Sequence, residues 1–161
     1  MAEEEAVAGQ SDEDQKIIRI QKIYMKDVSF ETPNSPEIFT LEWQPTLRIE
    51  IDSNASSMHD DLYEVVLALT ATVSVADKTA YLAEAHQAGI FLMQGFEPAA
   101  LQRLHNVYCL RYLYPYATAA VAELVTKGGF PQLLPQPMNF EGMYQQRLEE
   151  AAQQGQATEA E

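Results

Sequence analysis

The sequence predicts an α+β fold: a four-stranded antiparallel sheet with a crossover loop, followed by a long kinked helix and a C-terminal helix on one face. Period-two alternation of apolar residues dominates as far as residue 93. Apolar residues at helical spacing take over from residue 98, and the two patterns do not interleave. Strands followed by helices, not alternating with them, point to α+β rather than α/β. At 161 residues and 47 % hydrophobic, the chain suits one domain with a modest core.

The first strand is expected over Lys16 to Glu31. Strict alternation puts Tyr24, Val28 and Phe30 on one side, and Asp27, Ser29 and Glu31 on the other. Asp27 and Glu31 then stand about 13 Å apart. That is too far for a shared proton or metal ion, but suits two anchor points for a basic partner. A solvated strand face is the simpler reading of the same pattern. In the second strand Leu47, Ile49 and Ile51 alternate with Arg48, Glu50 and Asp52. Between these strands, residues 32–44 carry Pro33, Pro36, Ile38, Phe39 and Trp43, too long and too apolar for a hairpin loop, which predicts a crossover over the sheet.

Leu62 to Val75 reads as the third strand, with Tyr63, Val65, Leu67, Leu69, Ala71, Val73 and Val75 on one face. Thr79 to Met93 reads as the fourth, joined by a short Ala76-Asp77-Lys78 turn that favours a hairpin. On it, Tyr81, Ala83, Ala85 and Gln87 form a small, weakly polar face opposite Leu82, Glu84 and His86. A flat face of small residues is buried more often than bathed in water. Burial under the chain's own helix and burial against another subunit both fit.

Pro98 suits the first turn of a helix presenting Leu101, Leu104 and Tyr108. Pro115 should kink or split it, and Gly128-Gly129 should stop it. A proline-punctuated connector covers residues 130–137, and Asn139 suits the N-cap of a last helix showing Phe140, Met143, Tyr144 and Leu148. The expected domain spans residues 15–148. Residues 1–14, with six acids and no base, and 149–161, with four acids and no base, read as disordered acidic tails. The net charge is −14, of which the stretch between the tails carries near −4.

Composition excludes several functions. The ten bases are scattered and form no stripe for nucleic acid. No apolar run is long enough for a membrane span, and the acidic N-terminus is the reverse of a signal peptide. The single cysteine, Cys109, fits a reducing cytosol and reads as a packed thiol. A soluble cytoplasmic protein is expected.

The catalytic candidate is Ser56-Ser57-Met58-His59-Asp60-Asp61, the basis for an alternative reading as a small hydrolase around His59, Asp60 and Asp61. Six consecutive residues seldom form a triad, because triads draw members from separate elements. His59, His86 and His105 lack metal-ligand spacing, and the glycines form no phosphate loop. No cofactor or metal is expected, and no enzymatic activity. Aromatic and methionine side chains instead gather in irregular segments: Phe39, Leu41 and Trp43 in the crossover, and Phe130, Leu133, Leu134, Met138, Phe140, Met143 and Tyr144 after the helix. A groove so lined would accept varied apolar peptides.

An ordered set of motifs sharpens the reading: Pro33-Asn34-Ser35-Pro36, Trp43-Gln44-Pro45, Tyr63-Glu64-Val65-Val66-Leu67, Gln87-Ala88-Gly89-Ile90-Phe91, Leu113-Tyr114-Pro115-Tyr116-Ala117, Gly129-Phe130-Pro131-Gln132-Leu133 and Pro137-Met138-Asn139-Phe140. Over residues 20–148 the chain resembles the SecB family of bacterial protein-export chaperones. The resemblance implies an ATP-independent cytosolic chaperone, assembled as a dimer of dimers, that holds preproteins unfolded in apolar grooves. It implies delivery to the ATPase SecA through that partner's basic, zinc-carrying C-terminal element. The motif-matched docking residues are Asp27, Glu31, Leu82 and Glu84. The implied client groove has Phe39, Trp43, Phe130, Phe140 and Met143. The resemblance also tips Ala83, Ala85 and Gln87 towards a subunit interface. Thr118 and Tyr114 depart from the family's usual arginine and phenylalanine, and the added hydroxyl of Tyr114 needs a partner. A SecB-like chaperone of a toxin–antitoxin system is the alternative within the same fold.

Overall fold

A computed structural model describes residues 15–158. Four strands, β1 (Ile17–Glu31), β2 (Thr46–Ser57), β3 (Leu62–Val75) and β4 (Lys78–Gln94), form one antiparallel sheet in the order β1-β4-β3-β2. The helical half comprises α1 (Pro98–Arg103), a π turn (Leu104–Tyr108), α2 (Cys109–Lys127) and α3 (Phe140–Thr158). The segment between β1 and β2 crosses from one edge of the sheet to the other, carrying a short 3-10 helix over Glu37–Thr40. Ile38 anchors this crossover in the core.

Alternation divides the sheet into two faces. Val65, Leu67, Leu69, Ala71, Val73 and Val75 of β3 join Ala83, Ala85, Phe91 and Met93 of β4 beneath Leu113, Ala117, Val121 and Val125 of α2. Burying one such apolar side chain stabilises the fold by about 1.5–3 kcal/mol. Gly89 lies under α2 as well. A Cβ there would meet the Phe91 ring at 2.6 Å and Leu113 at 3.2 Å, so close helix–sheet approach requires glycine.

Four expectations change. Strict alternation fails in β1, where bulges fall between Ile20 and Lys22 and between Met25 and Asp27. The extra residue, Lys26, moves Tyr24 onto the same face as Asp27, Ser29 and Glu31. The helix is interrupted by the π turn, while α2 runs on through Pro115. The face holding Ala83, Ala85 and Gln87 is covered by this chain's own helix α2 and is not a free surface for a second subunit. Finally, α3 extends to Thr158, so residues 149–158, expected as part of a disordered tail, are helical and exposed. Their Ala, Gln and Glu are strong helix formers. The expected tail 1–14 lies outside the described residues.

Candidate functional site: an acidic strip and an aromatic patch on opposite faces

The four motif-matched acidic-strip residues come together on the outer face of β1 and β4. Glu31 pairs in register with Leu82, Ser29 with Glu84, and Asp27 with His86. Registered partners in antiparallel strands lie side by side, about 5 Å apart. Asp27 and Glu31 are exposed, and Leu82 and Glu84 half-buried. The strip is therefore continuous: two carboxylates from β1, one from β4, and one leucine beside them. The His86 ring is paired through Nε2 with Glu84 Oε1.

The Lys26 bulge has a second effect. Its Nζ reaches Glu64 of β3 at 2.7 Å, and the Tyr24 hydroxyl donates to the same carboxylate. Ala88 lies between Tyr24 and β3 in register, a side chain short enough for the ring to pass over. Lys26 and the Tyr24 hydroxyl hold the Glu64 carboxyl below its usual range, and Glu64 in turn raises Tyr24 to about 12. On the inner side, the buried Gln87 amide donates to the Tyr24 carbonyl at 3.0 Å, satisfying a backbone group beside the irregularity.

The expected groove residues form two patches rather than one. Phe130 is the centre of the first. Its ring lies 4.8 Å from Phe39, 4.9 Å from Tyr81, 5.8 Å from Trp43 and 6.4 Å from Phe30. The end of α2 delivers it there. Gly129 N–H donates to the Thr126 carbonyl and Phe130 N–H to the Val125 carbonyl, a Schellman closure with Gly129 at φ +88. A Cβ on Gly128 would meet the Phe30 ring at 2.3 Å, so the second glycine is needed for approach. Phe130 is itself buried, whereas Phe39, stacked on it, is 51 % exposed.

Phe140 and Met143 make the second patch. Phe140 packs edge-on against Tyr114 at 5.4 Å, and the Asn139 side chain caps α3 by accepting from Gly142 N–H at 3.0 Å. From Tyr114 to the end of α2 is a helical rise of about 20 Å. The connector 131–139 spans that distance and exposes Leu134 at 71 %. The Tyr114 hydroxyl donates to the Gln136 carbonyl at 2.5 Å, the partner its added oxygen requires. Sequence reasoning left Phe30 and Tyr81 out of the aromatic patch. Both belong to strands, and only the crossover brings Phe39 and Trp43 over them.

The residues read as catalytic candidates are not assembled. Ser56 and Ser57 end β2, and His59 to Asp61 form the exposed turn to β3, with Asp60 and Asp61 at φ 48 and 62. His59 Nδ1 contacts only its neighbour Asp60, at 3.3 Å. His105 packs against Tyr63 at 4.8 Å, with its pKa lowered by burial. Burial pushes the Cys109 thiol up to about 12, the setting of an inert packed thiol. Among the described residues no cluster of three or more His, Cys, Asp or Glu could hold a metal, and no helix is long and apolar enough to cross a membrane.

Comparison with known proteins shows the family and the fold. The model of the SecB family, described as preprotein translocase subunit SecB, matches residues 11–151. The protein-export protein SecB of Alkalilimnicola ehrlichii is 44 % identical over 156 residues, covering 97 % of this chain and 83 % of that one. Those of Methylococcus capsulatus and Hydrogenovibrio crunogenus are 49 % and 48 % identical, covering 85 % and 89 % of this chain and 88 % and 97 % of theirs. Among solved structures, the SecB-like chaperone of Mycobacterium tuberculosis, in complex with a ChAD peptide from an antitoxin, aligns with a TM-score of 0.60 at 17 % identity. It covers 75 % of this chain and 93 % of that one. That likeness shows the fold alone, while the export proteins match at more than twice the identity.

Proposed function

This chain belongs to the SecB family and is a protein-export chaperone; we propose that it acts in the cytosol as an ATP-independent homotetramer that holds preproteins unfolded and delivers them to SecA. The observation that carries the proposal is the separation of two unlike surfaces. Asp27, Glu31, Leu82 and Glu84 lie on the outer face, while Phe39, Trp43 and Phe130 lie over the inner side. A basic partner and an apolar client can then be held at once, with the sheet between them.

Each surface suits its ligand physically. An unfolded client loses chain entropy on capture and regains free energy by burying apolar side chains at about 25 cal/mol per Å². Phe39, Leu41 and Leu134 offer exposed apolar area, with Phe130 and Phe140 as the packed floor. Many weak contacts give capture without selectivity, and no step needs a nucleotide. The zinc-carrying basic element of SecA would supply Lys or Arg to the carboxylates and apolar contact to Leu82. Exposed ion pairs contribute only about 0–1 kcal/mol each, so repetition around a tetramer would supply the affinity. Assembly is supported by β1, an edge strand of 15 residues with Met25 and Val28 exposed, and by Tyr112 and Tyr116 exposed on α2.

The test is Asp27→Ala with Glu31→Ala. SecA binding should fall about tenfold or more, while capture of an unfolded client is unchanged. Normal SecA binding by the double variant would overturn the docking assignment. Light scattering should give a tetramer mass that shifts with unfolded, but not native, client.

A further inference from the structure

We infer that His86 regulates docking on the acidic strip: its imidazole occupies Glu84 in the unbound chaperone and must yield that carboxylate to the basic side chain of the partner, so that docking weakens when His86 is protonated. The inference rests on the docking reading above and deepens it.

His86 closes the strip at its Asp27 end, directly beside Glu84 on the outer face. Its ring is paired with Glu84 along β4, and its register partner on β1 is Asp27. Its register partner on β3 is Ala68, whose short side chain leaves the ring open towards β2. There Asp52 is registered with Ala68, and Glu50 with Thr70. The result is a concavity of about 400 Å³ lined by Glu50, Asp52, Ala68, Thr70, Glu84 and His86.

The charged groups facing the imidazole are therefore Asp27 from β1, Glu84 from β4, and Glu50 and Asp52 from β2, with Glu31 farther along the strip beside Leu82; β3 presents only Ala68 and Thr70 at this level. The nearby cations are already paired, one of them with a carboxylate of this concavity. Lys26 is bound to Glu64, and Arg48 to Glu50 at 2.6 Å. His86 is thus a group on this face that can place a removable positive charge against the docking carboxylates.

The sign follows from linkage. A docked lysine or arginine takes the imidazolium's place on Glu84 and opposes its charge, so docking releases a proton. By reciprocity, protonation weakens docking. One linked proton limits the change to about tenfold per pH unit.

The experiment is calorimetric titration of SecA into the full chain at pH 7.5 and pH 6.0, repeated with His86→Gln and with Asp27→Ala/Glu31→Ala. Each titration is run in two buffers of different protonation enthalpy, to count protons. The unaltered chain should lose about fivefold more affinity between the two pH values than His86→Gln does, and should release a proton fraction the variant does not. Histidines of SecA contribute to both titrations and cancel in the difference. Parallel pH profiles and equal proton counts, with the double carboxylate variant still defective, would overturn the role of His86 alone. Equal binding by the double variant would overturn the docking reading and this inference with it.

Discussion

The two faces of the sheet are made by the same four strands, residue by alternate residue, yet they serve opposite ends. On β4 the inner residues Ala83, Ala85, Phe91 and Met93 are sealed beneath α2, while Leu82, Glu84 and His86 between them remain reachable from solvent. The inner face is tolerant of nothing larger, as the fit of Gly89 against Phe91 and Leu113 shows. The outer face carries charge with no cover, so its residues are free to be selected for a partner. Core packing and exposed charge are thereby placed on separate sets of side chains, and a substitution should disturb one without the other.

The largest effect that would sharpen this contrast is on the inner face. Phe91→Ala should cost about 3–5 kcal/mol, measured by urea unfolding at fixed protomer concentration. The folded fraction should still bind SecA as before. A loss below about 1 kcal/mol would mean that the inner face is not the core.

The next tests the outer face. Raising ionic strength should weaken SecA docking steeply and leave client capture nearly unchanged, because exposed charges are screened and apolar burial is not. Phe39→Ser should do the reverse, lowering client affinity about threefold to tenfold while SecA binding holds. Salt-insensitive docking would remove the electrostatic account of the strip.

Smaller effects belong to the polar ties. Glu64→Gln should cost about 0.5–1 kcal/mol, since one carboxylate serves both Lys26 and Tyr24. Because Glu64 is depressed in the fold, its contribution is present above the ordinary carboxylate range and is lost as pH falls through its lowered value. The acid limb of the unfolding profile should therefore flatten in this variant. Tyr114→Phe frees the Gln136 carbonyl at the connector and should cost about 0.5–1 kcal/mol in urea unfolding.

Much of the fold was legible because its period is local. β3 matches its expected range, the Asn139 cap is made, and the glycine pair ends α2 as expected. Asp27, Glu31, Leu82 and Glu84 were singled out through motif order, and their common face was legible through alternation. Tyr24 was misplaced because a bulge adds one residue to the count, and nothing in Met25-Lys26-Asp27 announces it. That Phe130 and Phe140, ten positions apart in sequence, lie beside different levels of α2 was not legible, since it depends on the path of the connector.

By itself the sequence determined the element order, the inward set of β3, the family and the export role, because hydrophobic period and motif spacing are properties of neighbouring residues. Only the tertiary structure decided that Ala83, Ala85 and Gln87 lie under α2, that Phe30 and Tyr81 complete the aromatic patch, and that His86 stands among the carboxylates of three strands. Those facts depend on which strands pair and where the crossover lands, contacts between distant residues that no local pattern encodes.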